Sequence, residues 1–240
     1  MTDQEQHPPD GMRKELPLWV RGVVRLVAVC VFISIPLFWG AGTLDWPRGW
    51  AFLALLALTF ALNLTLLLNK NPTLVRERWK RRKDTKRFDK TFGWAYLVAV
   101  VAFFVLAGMD AVRFQWTSMQ SSLLYVGVAM HVLGMIPVLG ALLTNPHLET
   151  TVRIQTDRGH RVVSDGPYRY VRHPMYVGIS LAFWGWSLVL GSWVAFGVAC
   201  VVVVLLVIRT ALEDRTLRNE LSGYTEYCEK TRYRLIPGVW

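Results

Sequence analysis

Five stretches of this chain contain no Asp, Glu, Lys or Arg: residues 26–44, 49–69, 91–109, 114–148 and 173–208. A membrane-crossing helix takes about 20 mainly apolar residues, each adding about 1.5 Å along its axis. The first three stretches therefore fit one crossing apiece, and residues 123–143 form the apolar heart of a fourth. With 53% hydrophobic residues and 11 Trp among 240, a soluble domain would have too little interior to hide its apolar side chains. The expected class is all-α, a polytopic transmembrane helical protein.

The fifth stretch is too long for one crossing. Its 36 residues would make a straight helix of about 54 Å, against a hydrocarbon core of about 30 Å. Folded back at Gly191 and Ser192, it gives two helices of about 17 residues, near the lower limit for spanning. The expectation is a short helical hairpin and about six crossings in all; one long tilted helix is the rival.

The net charge of +10 raises the question of nucleic acid, and its placement answers it. With six crossings and a cytosolic N-terminus, 25 of the 27 Lys and Arg residues fall on the cytosolic side, leaving only Arg48 and Arg113 outside. The positive-inside rule needs far less asymmetry than this. The chain is therefore expected to be integral and multi-pass with both termini cytosolic, with membrane lipids rather than nucleic acid as its charged partner. No obligate protein partner is evident. No cleavable signal is expected, because the segment before the first span is long and polar. Cys30, Cys200 and Cys228 are widely spaced, which argues against a disulfide framework and a structural zinc site.

Three regions follow from this pattern: a cytosolic tail at 1–21, with 1–15 disordered; four spans with a basic loop at 70–90, over 22–144; and a third region, over 145–240, carrying polar motifs, the hairpin and a C-terminal cytosolic helix. The basic loop begins Asn71-Pro72-Thr73-Leu74-Val75-Arg76-Glu77-Arg78. It reads either as an anion site for a lipid headgroup or cofactor, or as a topology anchor on acidic lipid. His131, inside the fourth span, is either a proton-handling residue or a hydrogen-bonded interhelical one.

The segment after Gln155 is dense in chemistry. It runs through His160-Arg161-Val162-Val163 and Gly166-Pro167-Tyr168 to Arg172-His173-Pro174-Met175-Tyr176-Val177-Gly178. Gly166-Pro167 marks a turn. Pro174 suits the first position of a helix, which places His173 at the helix start and Tyr176 about one turn further in. Free N–H groups at a helix start favour a carboxylate, and Tyr168, Tyr170 and Tyr176 offer aromatic faces to a cation. One segment thus provides for both ends of a zwitterion. After the last apolar run, Arg209 and Glu213 lie four apart and share a helix face, as a functional pair or as an ordinary interfacial salt bridge.

In that order, these motifs resemble the isoprenylcysteine carboxyl methyltransferase family, whose broader group includes bacterial phospholipid and thiol methyltransferases. Arg209 with Glu213-Asp214, and the ending Gly223-Tyr224, Tyr227 and Ile236-Pro237, complete the set. The resemblance is strong over about residues 145–240 and weak over 70–80. It implies S-adenosyl-L-methionine as cofactor and a lipophilic methyl acceptor, whether a carboxylate, a phospholipid amine or a thiol. It implies cofactor contacts at Gln155, His160, Arg161, Val162, Val163, Tyr168, His173, Pro174, Met175, Tyr176 and Glu213. Arg209 matches the residue that orients the substrate, and Arg209 with Glu213 would carry the catalysis. The spacing of Gln155 from Tyr168 departs slightly from the family pattern.

Other classes are weighed against this one. Membrane sterol and steroid reductases carry a similar Arg-His-Pro-x-Tyr element and use NADPH, but their pattern places Asn and an acidic residue where this chain has Met175 and Gly178. A transporter or scaffold has little support, since the interiors of the spans carry no formal charge for an ion path. A soluble dinucleotide-fold methyltransferase is excluded by the lack of a Gly-rich strand-to-helix loop. The compact chain and short loops lean towards a prokaryotic inner membrane.

Overall fold

The structure is a computed structural model, and it describes residues 16–80 and 86–240. The tail expected at 1–15 and positions 81–85 of the basic loop lie outside the described residues. Among the described residues there are helices and turns and no strand. In chain order the helices are α1 (Leu18–Ala41), α2 (Pro47–Lys70), α3 (Pro72–Arg78), α4 (Arg87–Gly108), α5 (Leu123–Thr144), α6 (Pro174–Leu190), α7 (Trp193–Glu220) and α8 (Tyr224–Lys230).

Five segments are long and apolar enough to cross a membrane: α1, α2, Arg87–Arg113, α5 and α7. They face outward with large apolar side chains such as Trp19, Ile35, Leu58, Trp94, Ile136 and Val204. That inside-out surface suits lipid, where apolar exposure carries no penalty. α6 has only 17 residues and is the innermost helix, with Phe183, Val189 and Leu190 almost fully buried. Its neighbours shield it, so it need not match the bilayer thickness by itself.

The hairpin turns where the sequence places it, at Gly191 and Ser192. Gly191 caps α6 in the left-handed region with φ +80°, which favours glycine. Ser192 caps α7 by accepting from the Ala195 N–H at 2.9 Å. The turn is tied to the neighbouring helix by Asp110, which has no solvent exposure. Asp110 sits in a wide π turn, Met109–Arg113, that ends α4. Its carboxylate accepts from the Ser192 hydroxyl at 2.6 Å and from the Thr117 N–H and hydroxyl at 2.8 Å each.

Three expectations need correction. The second arm of the hairpin is not short: α7 has 28 residues, about 42 Å, and runs past the apolar stretch to Glu220. Polar residues from Arg209 onward extend the helix because good helix formers follow the apolar run, so the loss of hydrophobicity at 208 is not a helix end. The start of the basic segment is also no loop. Asn71 accepts from the Leu74 N–H at 3.1 Å and, with Pro72 at the first position, nucleates α3. Lastly, α1 begins at Leu18, inside the segment expected as tail.

Glycines set the seat of α6. Gly127 and Gly134 of α5 face Gly185 and Gly178 of α6, so close that a Cβ at any of the four would meet backbone of the facing helix. This is the small-residue packing of membrane helices, where close approach replaces the hydrophobic drive. His131 lies between these contacts. It accepts from the Trp186 indole N–H at its Nδ1, 2.9 Å, and meets the Thr59 hydroxyl at its Nε2, 2.8 Å. Of the two readings of His131, the geometry is that of a hydrogen-bonded link between α2, α5 and α6.

Candidate active site

The loop between α5 and α6 is built as a wall. Arg153 bridges Glu149 at 3.0 Å and Asp157 at 3.0 Å, tying its first half together. Gln155 is almost fully buried behind that wall. Its amide donates to the His147 carbonyl at 2.6 Å and accepts from Arg158 at 2.7 Å, while its backbone N–H meets His160 Nδ1 at 3.3 Å. The His160 ring lies tilted against His147 with centroids 4.7 Å apart. Burial, with the neighbouring His147 ring, pushes the His160 imidazole down to about 4. At neutral pH it is an uncharged ring, accepting at Nδ1 and donating at Nε2.

The second half of the loop turns at Gly166-Pro167 against the end of α5, as the dipeptide predicts. Tyr168 is buried there; its hydroxyl accepts from Asn145 at 3.2 Å and its carbonyl accepts from the Tyr227 hydroxyl at 2.7 Å. Burial holds the Tyr168 and Tyr227 hydroxyls above their ordinary range, so both remain phenols.

His173 caps α6 and Pro174 takes its first position, as the spacing predicts. The helix start is less open than a proline start suggests. The His173 N–H is taken by the Arg234 carbonyl at 3.0 Å and the Tyr176 N–H by the His173 carbonyl at 3.1 Å. Because Pro174 has no N–H, the Met175 N–H is the donor this end presents.

Asp214 organises what lies behind. It has no exposure, and it receives Arg172 Nε at 2.8 Å, Arg234 Nε at 3.0 Å, Arg218 Nε at 3.2 Å and the Tyr224 hydroxyl at 3.0 Å. His173 Nε2 stands 3.5 Å away. For Arg172, burial opposes the charge, but its hydrogen bonds to Asp214 win and raise it above the usual guanidinium range. Arg172 also donates to the Thr231 and Arg232 carbonyls at 2.7 Å each. The C-terminal segment is thereby clasped against the loop that precedes α6.

Glu213 and Arg209 share a face of α7, as their spacing predicts, yet they do not pair with each other. Glu213 accepts from the Tyr176 hydroxyl at 2.6 Å. Arg209 reaches Asp89 of α4 at 2.9 Å and donates to the Thr150 carbonyl at 2.9 Å. Its guanidinium lies over the rings of Phe92 and Tyr176, with centroids at 4.6 and 5.7 Å.

These residues enclose two adjoining cavities. The first has a volume of about 70 Å³ and is lined by His160, Arg161, Val162, Val163, Tyr168, His173, Pro174, Met175, Tyr176, Arg209 and Glu213. Of the site residues named from the sequence, two are absent from the lining: Gln155, which braces the wall from behind, and Tyr170, whose ring is 72% exposed and offers no face to the cavity. Tyr224, Tyr227, Leu217, Asn145 and Glu149 add to the lining. The second cavity runs between α4 and the α6–α7 pair, lined by Phe92, Tyr96, Ile179 and Leu206 together with the polar Arg78, Glu149 and Thr150. Glu149, Met175, Tyr176 and Arg209 belong to both. Asp214 and Asp89 are the functional candidates sequence reasoning did not assign. Asp214 stands beside Glu213 in a motif already singled out, so its signal was present. Asp89 opens a spanning helix, where an acidic residue is ordinary, and nothing local sets it apart.

Comparison with known proteins bears on this site. The family model for phospholipid methyltransferase matches residues 122–222, from α5 through α7. The Delta(14)-sterol reductase erg24 of Schizosaccharomyces pombe is 32% identical over 99 residues, 40% of this chain. The aligned part is only 23% of that protein, so the chain spans under a quarter of this curated relative's length. Among solved structures, the fold matches the eukaryotic intramembrane Ras methyltransferase ICMT (isoprenylcysteine carboxyl methyltransferase). The TM-score is 0.59 at 18% identity, covering 93% of this chain and 88% of that one. The resemblance read in the motifs is thus met by a phospholipid methyltransferase family pattern in residues 122–222, and the fold across the chain is similar to that of ICMT.

Proposed function

We propose, from a segment that carries the phospholipid methyltransferase pattern within a membrane methyltransferase fold, that this chain methylates a lipophilic acceptor with S-adenosyl-L-methionine as donor. The observation that carries the reading is the shared wall. Glu149, Met175, Tyr176 and Arg209 line both the loop-side cavity and the one that runs between the helices. A donor and an acceptor seated on the two sides of such a wall would meet at it.

The residues of the loop-side cavity fit the donor. A sulfonium and an ammonium suit the Glu213 carboxylate and the faces of Tyr168 and Tyr176. A carboxylate suits the Met175 N–H and the basic side chains at the helix start. The apolar floor of Val162, Val163 and Leu217 suits a flat heterocycle. When bound, the cofactor supplies an activated methyl group, so the protein has mainly to align and to exclude water. Glu213 is fixed by Tyr176, and α7 therefore presents its carboxylate in one orientation. Arg209, braced by Asp89, would hold an anionic group of the acceptor at the wall. The neutral His160 ring offers its Nε2–H without adding charge to an already basic site.

The acceptor is a lipophilic carboxylate, phospholipid amine or thiol. Incubation of detergent-purified protein with methyl-labelled cofactor and a panel of phospholipids, prenylcysteines and thiols tests this. Label should pass to one class of organic-soluble product. No transfer to any of the three would count against the reading. A second reading, an NADPH-dependent reductase, is favoured by the sterol reductase relative. It predicts oxidation of NADPH with a sterol substrate under the same conditions.

A further inference from the structure

A third cleft adjoins the second cavity, with which it shares Arg78 and Thr150, and lies between α1, α2, α3 and α5. It measures about 290 Å³. Its polar lining is Arg25, Arg78, Asn63 and Thr150. Its floor is Phe60, Leu64, Leu67, Val75 and Leu142. Among the described residues no acidic one lines it. Arg25 lies over the Trp79 ring, centroid at 4.6 Å, and donates to the Trp79 carbonyl at 3.2 Å. Arg78 donates to the Leu148 carbonyl at 2.7 Å. Its acidic neighbour Glu149 is engaged by Arg153 at 3.0 Å and Arg158 at 3.7 Å. Two guanidinium groups thus face one cleft with neutral carbonyls as their partners.

We propose that this cleft seats an anionic phospholipid, its phosphate between Arg25 and Arg78 and one acyl chain along Phe60, Leu64 and Leu67. Charge complementarity selects the headgroup, since planar guanidinium groups bind phosphate by paired hydrogen bonds. The apolar floor selects a chain over a soluble anion, because it follows the side of a spanning helix from the end where the basic residues lie. A tryptophan stacked on an arginine at that level is the usual furniture of the membrane interface. Burial lowers the Arg78 guanidinium below its usual range, against the opposing charge of Glu149. The site assigns a specific role to part of the basic segment 71–78, which as a mere anchor would bind acidic lipid diffusely.

Native mass spectrometry of the full chain, released from detergent with phosphatidylglycerol or phosphatidylcholine, tests the proposal. Arg25→Gln and Arg78→Gln are compared with Arg76→Gln, an exposed arginine of α3 that does not line the cleft. All variants are first checked for a wild-type unfolding temperature; Arg25→Gln serves alone if Arg78→Gln does not fold. The expected result is preferential retention of phosphatidylglycerol by the wild type. Retention should be about tenfold weaker in the Arg25 and Arg78 variants and unchanged in Arg76→Gln. Equal loss in all three variants would mean diffuse surface attraction and overturn the site. So would equal retention of the two lipids by the wild type. Displacement of the lipid by millimolar inorganic phosphate would reduce the cleft to an anion site without a chain seat, which also contradicts the proposal.

Discussion

Asp214 carries more partners than any single residue position suggests. Three arginines and a tyrosine converge on its carboxylate, and Arg172 among them is almost fully buried. Removing one member of a buried charged set leaves the others uncompensated, at a cost of about 3–5 kcal/mol. Asp214→Ala should therefore lower the unfolding temperature in detergent sharply. Glu213→Gln should not, because its one direct bond here is to the Tyr176 hydroxyl; it should instead weaken S-adenosylhomocysteine binding about tenfold or more. The two adjacent acids thus separate structure from binding. His160 gives a pH test. Its value of about 4 in the folded chain lies below about 6.5 for an unperturbed histidine. Its contribution to stability is complete above pH 6.5 and is lost as pH falls towards 4, because the unfolded chain binds the proton first. The difference in unfolding temperature between wild type and His160→Gln should be constant above pH 7 and shift against the wild type below about 6. At this scale the sequence was informative about types and spacing, and less so about partners. The four-residue interval put Arg209 and Glu213 on one face, but Asp89, 120 positions from Arg209 in the chain, and Tyr176 took the two charges. Those partners are set by how helices pack, which no local pattern encodes.

The elements were legible where hydrophobicity and turn chemistry coincide. Charge-free runs gave the spans, and Gly191-Ser192 gave the hairpin because a glycine C-cap and a serine N-cap meet there. The end of α7 was not legible, since helix propensity continues after hydrophobicity stops. Nor was the glycine seat between α5 and α6. In helices apolar on every side, small residues at seven-residue intervals carry no contrast against their background. That seat matters for the site, because α6 begins at Pro174, capped by His173. Gly178→Leu would put a side chain against the Gly134 carbonyl and the Pro137 and Val138 side chains. It should displace the helix start and abolish cofactor binding, with lower yield of folded protein. Gly197→Leu on α7 meets nothing within 4 Å and should be silent in both measurements.

For the whole molecule, the distribution of Lys and Arg predicts an even number of crossings with both termini cytosolic. The structure fits that count if α6, with its 17 residues, crosses as the inner arm of the hairpin. Reporter fusions at the two termini should place them on the same, cytosolic side. A fusion at residue 118, in the turn after the π turn, should report the opposite side. Opposite locations of the two termini would mean an odd number of crossings. The fold class was readable because lipid imposes it, while the acceptor was not, because the second cavity mixes Phe92, Ile179 and Leu206 with Arg78, Arg209 and Glu149 drawn from distant parts of the chain.

The central claim is that the loop-side cavity under α6 and α7 holds the methyl donor. Calorimetric titration of the detergent-purified chain with S-adenosylhomocysteine, beside an identical titration with NADPH, tests it most directly. The account predicts saturable binding of S-adenosylhomocysteine, lost in Glu213→Gln, and no heat from NADPH. Saturable binding of NADPH alone would contradict it and make the reductase reading the correct one.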